Sequence, residues 1–150
     1  MHELAKILIV EDNALNIKLF CDLLAAHGHE PEAVTDSRTA LEAARRFVPD
    51  LVITDIQLPH VSGLDLIRMI RDDKTLATTP IMAVTAYSAR GDEERIRAAG
   101  AQAYVSKPIS VVKFAQTVDE LLAQGTQPPL ETVAETNEGP GDAEANEGQA

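Results

Sequence analysis

Pro49-Asp50-Leu51-Val52-Ile53-Thr54-Asp55 is the stretch whose reading decides the fold. Its apolar run is continuous rather than alternating, as in a strand buried on both faces, and it stops on an acid. Outward from it, Ile7-Leu8-Ile9-Val10, Ile81-Met82-Ala83-Val84-Thr85 and Ala103-Tyr104-Val105 repeat the pattern, with a weaker run at Glu32-Ala33-Val34-Thr35. Helical spacing fills the gaps. Leu15, Leu19 and Leu23 recur every four residues, with Phe20 and Leu24 widening that face. Thr39–Ala44 is rich in helix formers. Leu64, Ile67, Met69 and Ile70 mark a third helix, Glu93–Ala99 a fourth stopped at Gly100, and Val111, Phe114, Val118, Leu121 and Leu122 a fifth. Ser37 and Ser110 read as N-caps of the second and fifth helices. A βα unit repeated five times predicts an α/β, doubly wound parallel sheet covered by helices on both faces, strand order 2-1-3-4-5.

The charge is unevenly spread. The 150 residues carry 13 basic and 24 acidic side chains, a formal net charge of −11. Six of the acids, and no base, fall between Gly125 and Ala150, beside three prolines and four glycines. Leu130 and Val133 are the larger aliphatics there, too little apolar surface to offset the entropy of ordering the segment. Residues 1–124 therefore read as one domain and 125–150 as an acidic disordered tail. The net charge argues against nucleic-acid binding, which needs Lys and Arg to displace counterions. A single cysteine excludes an internal disulfide framework. No apolar stretch approaches the roughly 18 residues of a membrane span. Residues 1–6 lack the pattern of a signal peptide. A soluble cytoplasmic protein is the expectation.

The carboxyl ends of the strands carry the chemistry. In the order 2-1-3-4-5, strands 1 and 3 are neighbours at the point where the order reverses, and ligands bind there. Strand 1 ends in Glu11-Asp12 and strand 3 in Asp55. Three converging carboxylates cannot all ionise freely without a proton or a cation, and an open oxygen-lined site suits Mg²⁺ or Mn²⁺. Strand 4 ends in Thr85, and Lys107-Pro108 follows strand 5. A cation, an ammonium, a hydroxyl and a free carboxylate together suit the handling of a phosphoryl group. Asp55 is the best candidate nucleophile, able to form an acyl phosphate, with Glu11 and Asp12 better placed to hold metal.

With their flanking residues, Ile7–Asn13, Pro49–Pro59, Ser62-Gly63, Pro80–Ala86 and Gly100–Pro108 resemble the receiver domain of two-component response regulators. Glu11–Phe20, Asp55–Pro59, Gly91–Arg97 and Ser106–Val111 resemble more narrowly the single-domain cell-cycle and cell-fate regulators of alphaproteobacteria, the DivK type. The resemblance implies a flavodoxin-like receiver fold with Asp55 as phosphoacceptor. It implies Mg²⁺ held by Glu11, Asp12, Asp55 and the backbone carbonyl of Gln57, with Lys107 on the phosphoryl group. It further implies a cis Lys107–Pro108 bond, and Thr85 and Tyr104 as the switch pair. The phosphoryl donor would be a phosphohistidine of a sensor histidine kinase or histidine phosphotransferase. Glu11 stands where Asp is commoner in the family. The resemblance further implies that Gln57 and Tyr87, two residues past Asp55 and Thr85, flank the path of the hydrolytic water and bear on the lifetime of the phosphorylated state.

The tail is too short and too acidic for a DNA-binding output. Signal is expected to leave by protein contact, through the face of the fourth helix, fifth strand and fifth helix, where Tyr87, Arg90, Arg95, Arg97 and Lys113 are exposed candidates. Asn13, Asn16, Lys18 and Phe20 on the first helix could meet a histidine-bearing hairpin, although Phe20 reads equally well as core. A monomer or weak dimer is expected. An aspartate-nucleophile phosphohydrolase is the enzyme alternative, but its second acid would fall on Gln57, which cannot serve as a general acid. The chain is thus expected to catalyse only its own phosphotransfer and dephosphorylation. A partner-binding module that needs no phosphorylation would predict a broken site, and a flavodoxin-like cofactor site would need a phosphate loop after strand 1. Cys21 reads as a small core residue, and the four histidines lack metal-ligand spacing.

Overall fold

The computed structural model describes residues 5–86 and 90–124. Its elements run β1 (Lys6–Val10), α1 (Ala14–Ala26), β2 (Glu30–Val34), a 3-10 turn (Ser37–Thr39), α2 (Ala40–Phe47), β3 (Leu51–Asp55), α3 (Gly63–Asp72), β4 (Ile81–Thr85), α4 (Arg90–Ala99), β5 (Ala103–Ser106) and α5 (Val111–Gln124). The strands form one parallel sheet in the order β2-β1-β3-β4-β5, as the alternation predicts. β3 and β4 are buried along their whole length, which is why their sequences do not alternate.

Successive side chains of the strands feed two cores. Leu8, Val10, Val52, Ile81 and Ala83 meet Ala43, Ala44, Leu66, Ile67, Ile70 and Ile96 of α2, α3 and α4. Ile7, Ile9, Leu51, Ile53, Met82 and Val84 meet Phe20, Leu24, Phe114 and Val118 of α1 and α5. Phe20 and Phe114 stack with centroids 5.1 Å apart, so Phe20 is core and offers nothing to a partner.

Several helix faces differ from their sequence reading. Leu15 is 78 % exposed, and α1 buries Phe20 and Leu24 instead. A strict four-residue spacing drifts around a helix of 3.6 residues per turn, so Leu15 and Leu24 cannot both face the sheet. Met69 lies about 200° around α3 from Ile67 and Val111 is the first residue of α5, so both are exposed, while Leu66 takes an inward place on α3. β2 covers Glu30–Val34 rather than Glu32–Thr35, because Glu30 N–H donates to the Ala5 carbonyl at 2.8 Å and sets the register with β1. Cys21 is partly buried against the α1–α5 core. Ser110 accepts from Lys113 N–H at 3.3 Å, as a cap of α5 should.

α2 ends at Val48, a β-branched residue at φ 52°, ψ 66°. The left-handed region costs such a residue roughly 1–2 kcal/mol, and Val48 is 62 % exposed, so little packing offsets that. Val48→Asn is expected to stabilise the fold by about 1 kcal/mol, read as a higher urea midpoint. An unchanged or lower midpoint would mean the side chain is worth more than its strain.

Candidate phosphoryl and metal site

The site forms where β1, β3 and β4 end side by side. Glu11 and Asp55 are almost fully buried and Asp12 is exposed. Each offers a carboxylate oxygen, and these oxygens lie within 4.8 Å of one another. Neighbouring backbone holds two of them in place. Asn13, the N-cap of α1, donates its N–H to Glu11 Oε2 at 3.1 Å. Gln57 donates its N–H to Asp55 Oδ1 at 3.0 Å. Lys107 reaches in after β5, its Nζ 2.8 Å from Asp55 Oδ2 and 3.9 Å from Glu11 Oε1. Its own N–H donates to the Thr85 carbonyl at 2.8 Å, which seats it beside the end of β4. The Lys107–Pro108 bond is cis, and Thr85 is buried at the last position of β4.

Burial and neighbouring charge together set the titration of the group. Burial, then the neighbouring Asp55 charge, pushes the Glu11 carboxyl above its ordinary value, against the Asn13 N–H, Lys107 and Asn16. Burial disfavours the Lys107 ammonium, but its hydrogen bond to Asp55 and the charges of Asp55, Glu11 and Asp12 outweigh that and hold it above an ordinary lysine. Glu11 Oε1 is buried with no hydrogen-bond partner. A buried acceptor left open beside two further carboxylates fits a hard divalent cation such as Mg²⁺.

Two supports were not readable as such in the sequence. Ser37, read there as a cap of α2, lies instead in the 3-10 turn that Asp36 caps. Its buried hydroxyl donates to the Pro59 carbonyl at 2.6 Å and accepts from Val61 N–H at 3.1 Å. It thereby ties down the loop after Asp55 on both sides of His60, which sits at φ 72°. A serine ahead of an alanine-rich helix carries a cap signature, and nothing local announces a partner more than 20 residues away. Arg71 is the second support. It donates to the carbonyls of Gly100, Ala77 and Thr79 and to Gln102 Oε1, joining the ends of α3 and α4 to the start of β4. Gly100, at φ 127°, leaves room there, since a Cβ would lie 2.5 Å from Arg71 Cγ.

Tyr104 is half-buried on β5 against α4, and Arg95, Arg97 and Lys113 are exposed. Tyr87 and the side chain of Arg90 lie outside the described residues, as do residues 125–150.

Residues 7–119 match the family model described as the response regulator receiver domain. The chain belongs to that family. As a receiver domain it is a component of two-component signalling, and its acidic pocket of Glu11, Asp12 and Asp55 suits Mg²⁺ and phosphorylation. The polar-differentiation response regulator DivK of Brucella ovis is 50 % identical over 116 residues, covering 77 % of this chain and 94 % of that protein. DivK of Brucella anthropi matches to the same extent. Among solved structures, the receiver domain of the sensor histidine kinase PA1611 of Pseudomonas aeruginosa, with magnesium ion coordinated in its active site cleft, superposes with a TM-score of 0.74 at 29 % identity. That match covers 81 % of this chain and 99 % of that one. The chemotaxis response regulator CheY4 of Vibrio cholerae superposes at 0.76 with 25 % identity, covering 79 % of this receiver and 99 % of that protein. No helix among the described residues is long and apolar enough to cross a membrane.

Proposed function

We propose that this receiver is a single-domain response regulator of the DivK type. It accepts a phosphoryl group on Asp55 from a phosphohistidine of a sensor kinase or histidine phosphotransferase, and signals by phosphorylation-dependent protein binding. Residues 1–124 form the receiver and 125–150 an acidic tail. The observation that carries the reading is the Asp55 carboxylate, buried among Glu11, Asp12 and Lys107 with Lys107 Nζ at 2.8 Å. An Asp55 carboxylate oxygen attacks phosphorus, the P–N bond to the donor histidine breaks, and the electron pair leaves with the imidazole nitrogen. Lys107 neutralises charge on the transferring oxygens, and Thr85 lies at the next strand end to meet one of them. Glu11, Asp12, Asp55 and the Gln57 carbonyl would hold Mg²⁺, which supplies charge neutralisation at the phosphoryl oxygens. Water later attacks phosphorus, the P–O bond to Asp55 breaks, inorganic phosphate leaves and Asp55 is returned as a carboxylate.

Output through α4, β5 and α5 fits the exposed Arg95 and Lys113 and a half-buried Tyr104. Nucleic acid is a poor partner for a chain of net charge −11. Intact-mass measurement with a small phosphodonor and Mg²⁺ tests the reading. A single phosphoryl adduct is expected on the wild type, and none on Asp55→Asn or with chelator. No adduct on the wild type, where a control receiver is labelled, would overturn it in favour of a binding module that needs no phosphorylation.

A further inference from the structure

We propose that Glu93 and Arg97 of α4 form a clamp on Tyr104 that restrains the phosphoryl site, which makes both positioning residues. The contacts close into a ring. Tyr104 Oη donates to Glu93 Oε1 at 3.1 Å. The other oxygen of the same carboxylate accepts from Arg97 Nε at 3.2 Å. The Arg97 guanidinium lies 5.8 Å over the Tyr104 ring, and its Nη1 donates to the Gln102 carbonyl at 2.9 Å. Glu93 and Arg97 are one helical turn apart, so a single turn of α4 grips the ring from its hydroxyl and from its face.

The clamp is anchored at both ends. Gln102 Oε1 accepts from Arg71 Nη2 and from Ile81 N–H, each at 2.8 Å, which fastens its backbone to the start of β4. On the other side, Tyr104 pairs with Ala83 in the sheet, two positions before Thr85 pairs with Ser106 and three before Lys107. Tyr104 therefore ties α4 to the strand that ends beside Thr85 and leads into Lys107. It cannot leave α4 without giving up the carboxylate acceptor and the guanidinium together. The Glu93 carboxylate also holds the Tyr104 hydroxyl above the ordinary phenol value, as an acceptor of that proton should. The inference rests on the reading of Tyr104 as the residue that moves when Asp55 is phosphorylated. It adds that α4 supplies the restraint, and that the restraint is removable without touching the site.

Rates of adduct formation with a small phosphodonor and Mg²⁺ test it. Glu93→Ala is expected to raise the rate about fivefold, the factor for one hydrogen bond of ordinary net strength. Glu93→Gln, which keeps an oxygen acceptor at the same reach, should stay close to the wild type. In a Tyr104→Phe background the effect of Glu93→Ala should vanish, because the hydroxyl it releases is gone. In 3-fluorotyrosine-labelled protein without donor, the Tyr104 ¹⁹F resonance, assigned by its loss in Tyr104→Phe, should shift or broaden in Glu93→Ala. A wild type that is labelled, with Glu93→Ala neither faster nor altered in its ¹⁹F spectrum, overturns the clamp and leaves the Asp55 reading standing. An effect that persists in Tyr104→Phe overturns it too, by tracing the change to α4 alone. A wild type that takes no phosphoryl group overturns the Asp55 reading and the clamp's role with it.

Discussion

Replacing Gly63 with alanine is expected to lower stability by about 3 kcal/mol and to dismantle the phosphoryl site with it. Gly63 opens α3 directly on the backbone that follows β3, where its N–H donates to the Ile56 carbonyl at 2.9 Å. A Cβ there would overlap the Asp55 carbonyl oxygen and lie 2.6 Å from Ile56 Cα and 2.9 Å from Asp55 C. All three are backbone atoms, so no side chain can rotate away. Either α3 lifts off the sheet, opening the core around Leu66, Ile67 and Ile70, or the end of β3 moves and takes Asp55 with it. Urea denaturation of Gly63→Ala measures the first, and phosphoryl labelling below the transition measures the second. A variant of wild-type midpoint that labels normally would mean the helix start has more room than this packing gives it.

Removing the lysine is expected to have the other large effect, and one that conditions can reverse. Lys107 faces two carboxylates that are almost fully buried. Lys107→Ala leaves Glu11 and Asp55 facing each other without a counter-charge. Breaking a fully buried pair costs about 3–5 kcal/mol; with the Lys107 side chain 26 % exposed, about 2–3 kcal/mol is expected at neutral pH. The sign with pH follows from Glu11. Its carboxyl is already raised by burial and then by Asp55, and Lys107 is one of the groups opposing that, so the variant raises it further. A folded state that holds a proton more tightly than the unfolded chain is favoured below the ordinary glutamate value, and loses that advantage as pH rises through the raised one. The deficit should therefore shrink on acidification. It should also shrink with Mg²⁺, whose charge replaces the ammonium. Denaturation at two pH values, with and without Mg²⁺, separates this from a packing loss, which neither condition would repair.

The parallel sheet and its order were legible because strands buried on both faces cannot alternate, and helices must cover them. The convergence of Glu11, Asp12, Asp55, Thr85 and Lys107 was legible for a related reason. They stand at the ends of four different apolar runs, Glu11 and Asp12 sharing one, and parallel strands deliver all their carboxyl ends to one edge. What misled were signals with a local and a distant meaning. Leu15 has the spacing of a core residue, but helix geometry turns it to solvent. Ser37 has the setting of a cap, yet its hydroxyl spans to Pro59 and Val61.

By itself the sequence determined which elements form, in what order they pair and which functional groups stand at the strand ends, since periodicity and composition act over neighbouring residues. Only the tertiary structure decided what holds those groups: the Ser37 tie, the four bonds of Arg71, the Gly63 contact with β3, and the grip of Glu93 and Arg97 on Tyr104. Each joins residues from separate elements, and their bond lengths depend on how helices settle on the sheet, a quantity set by packing of the whole core rather than by any stretch of chain.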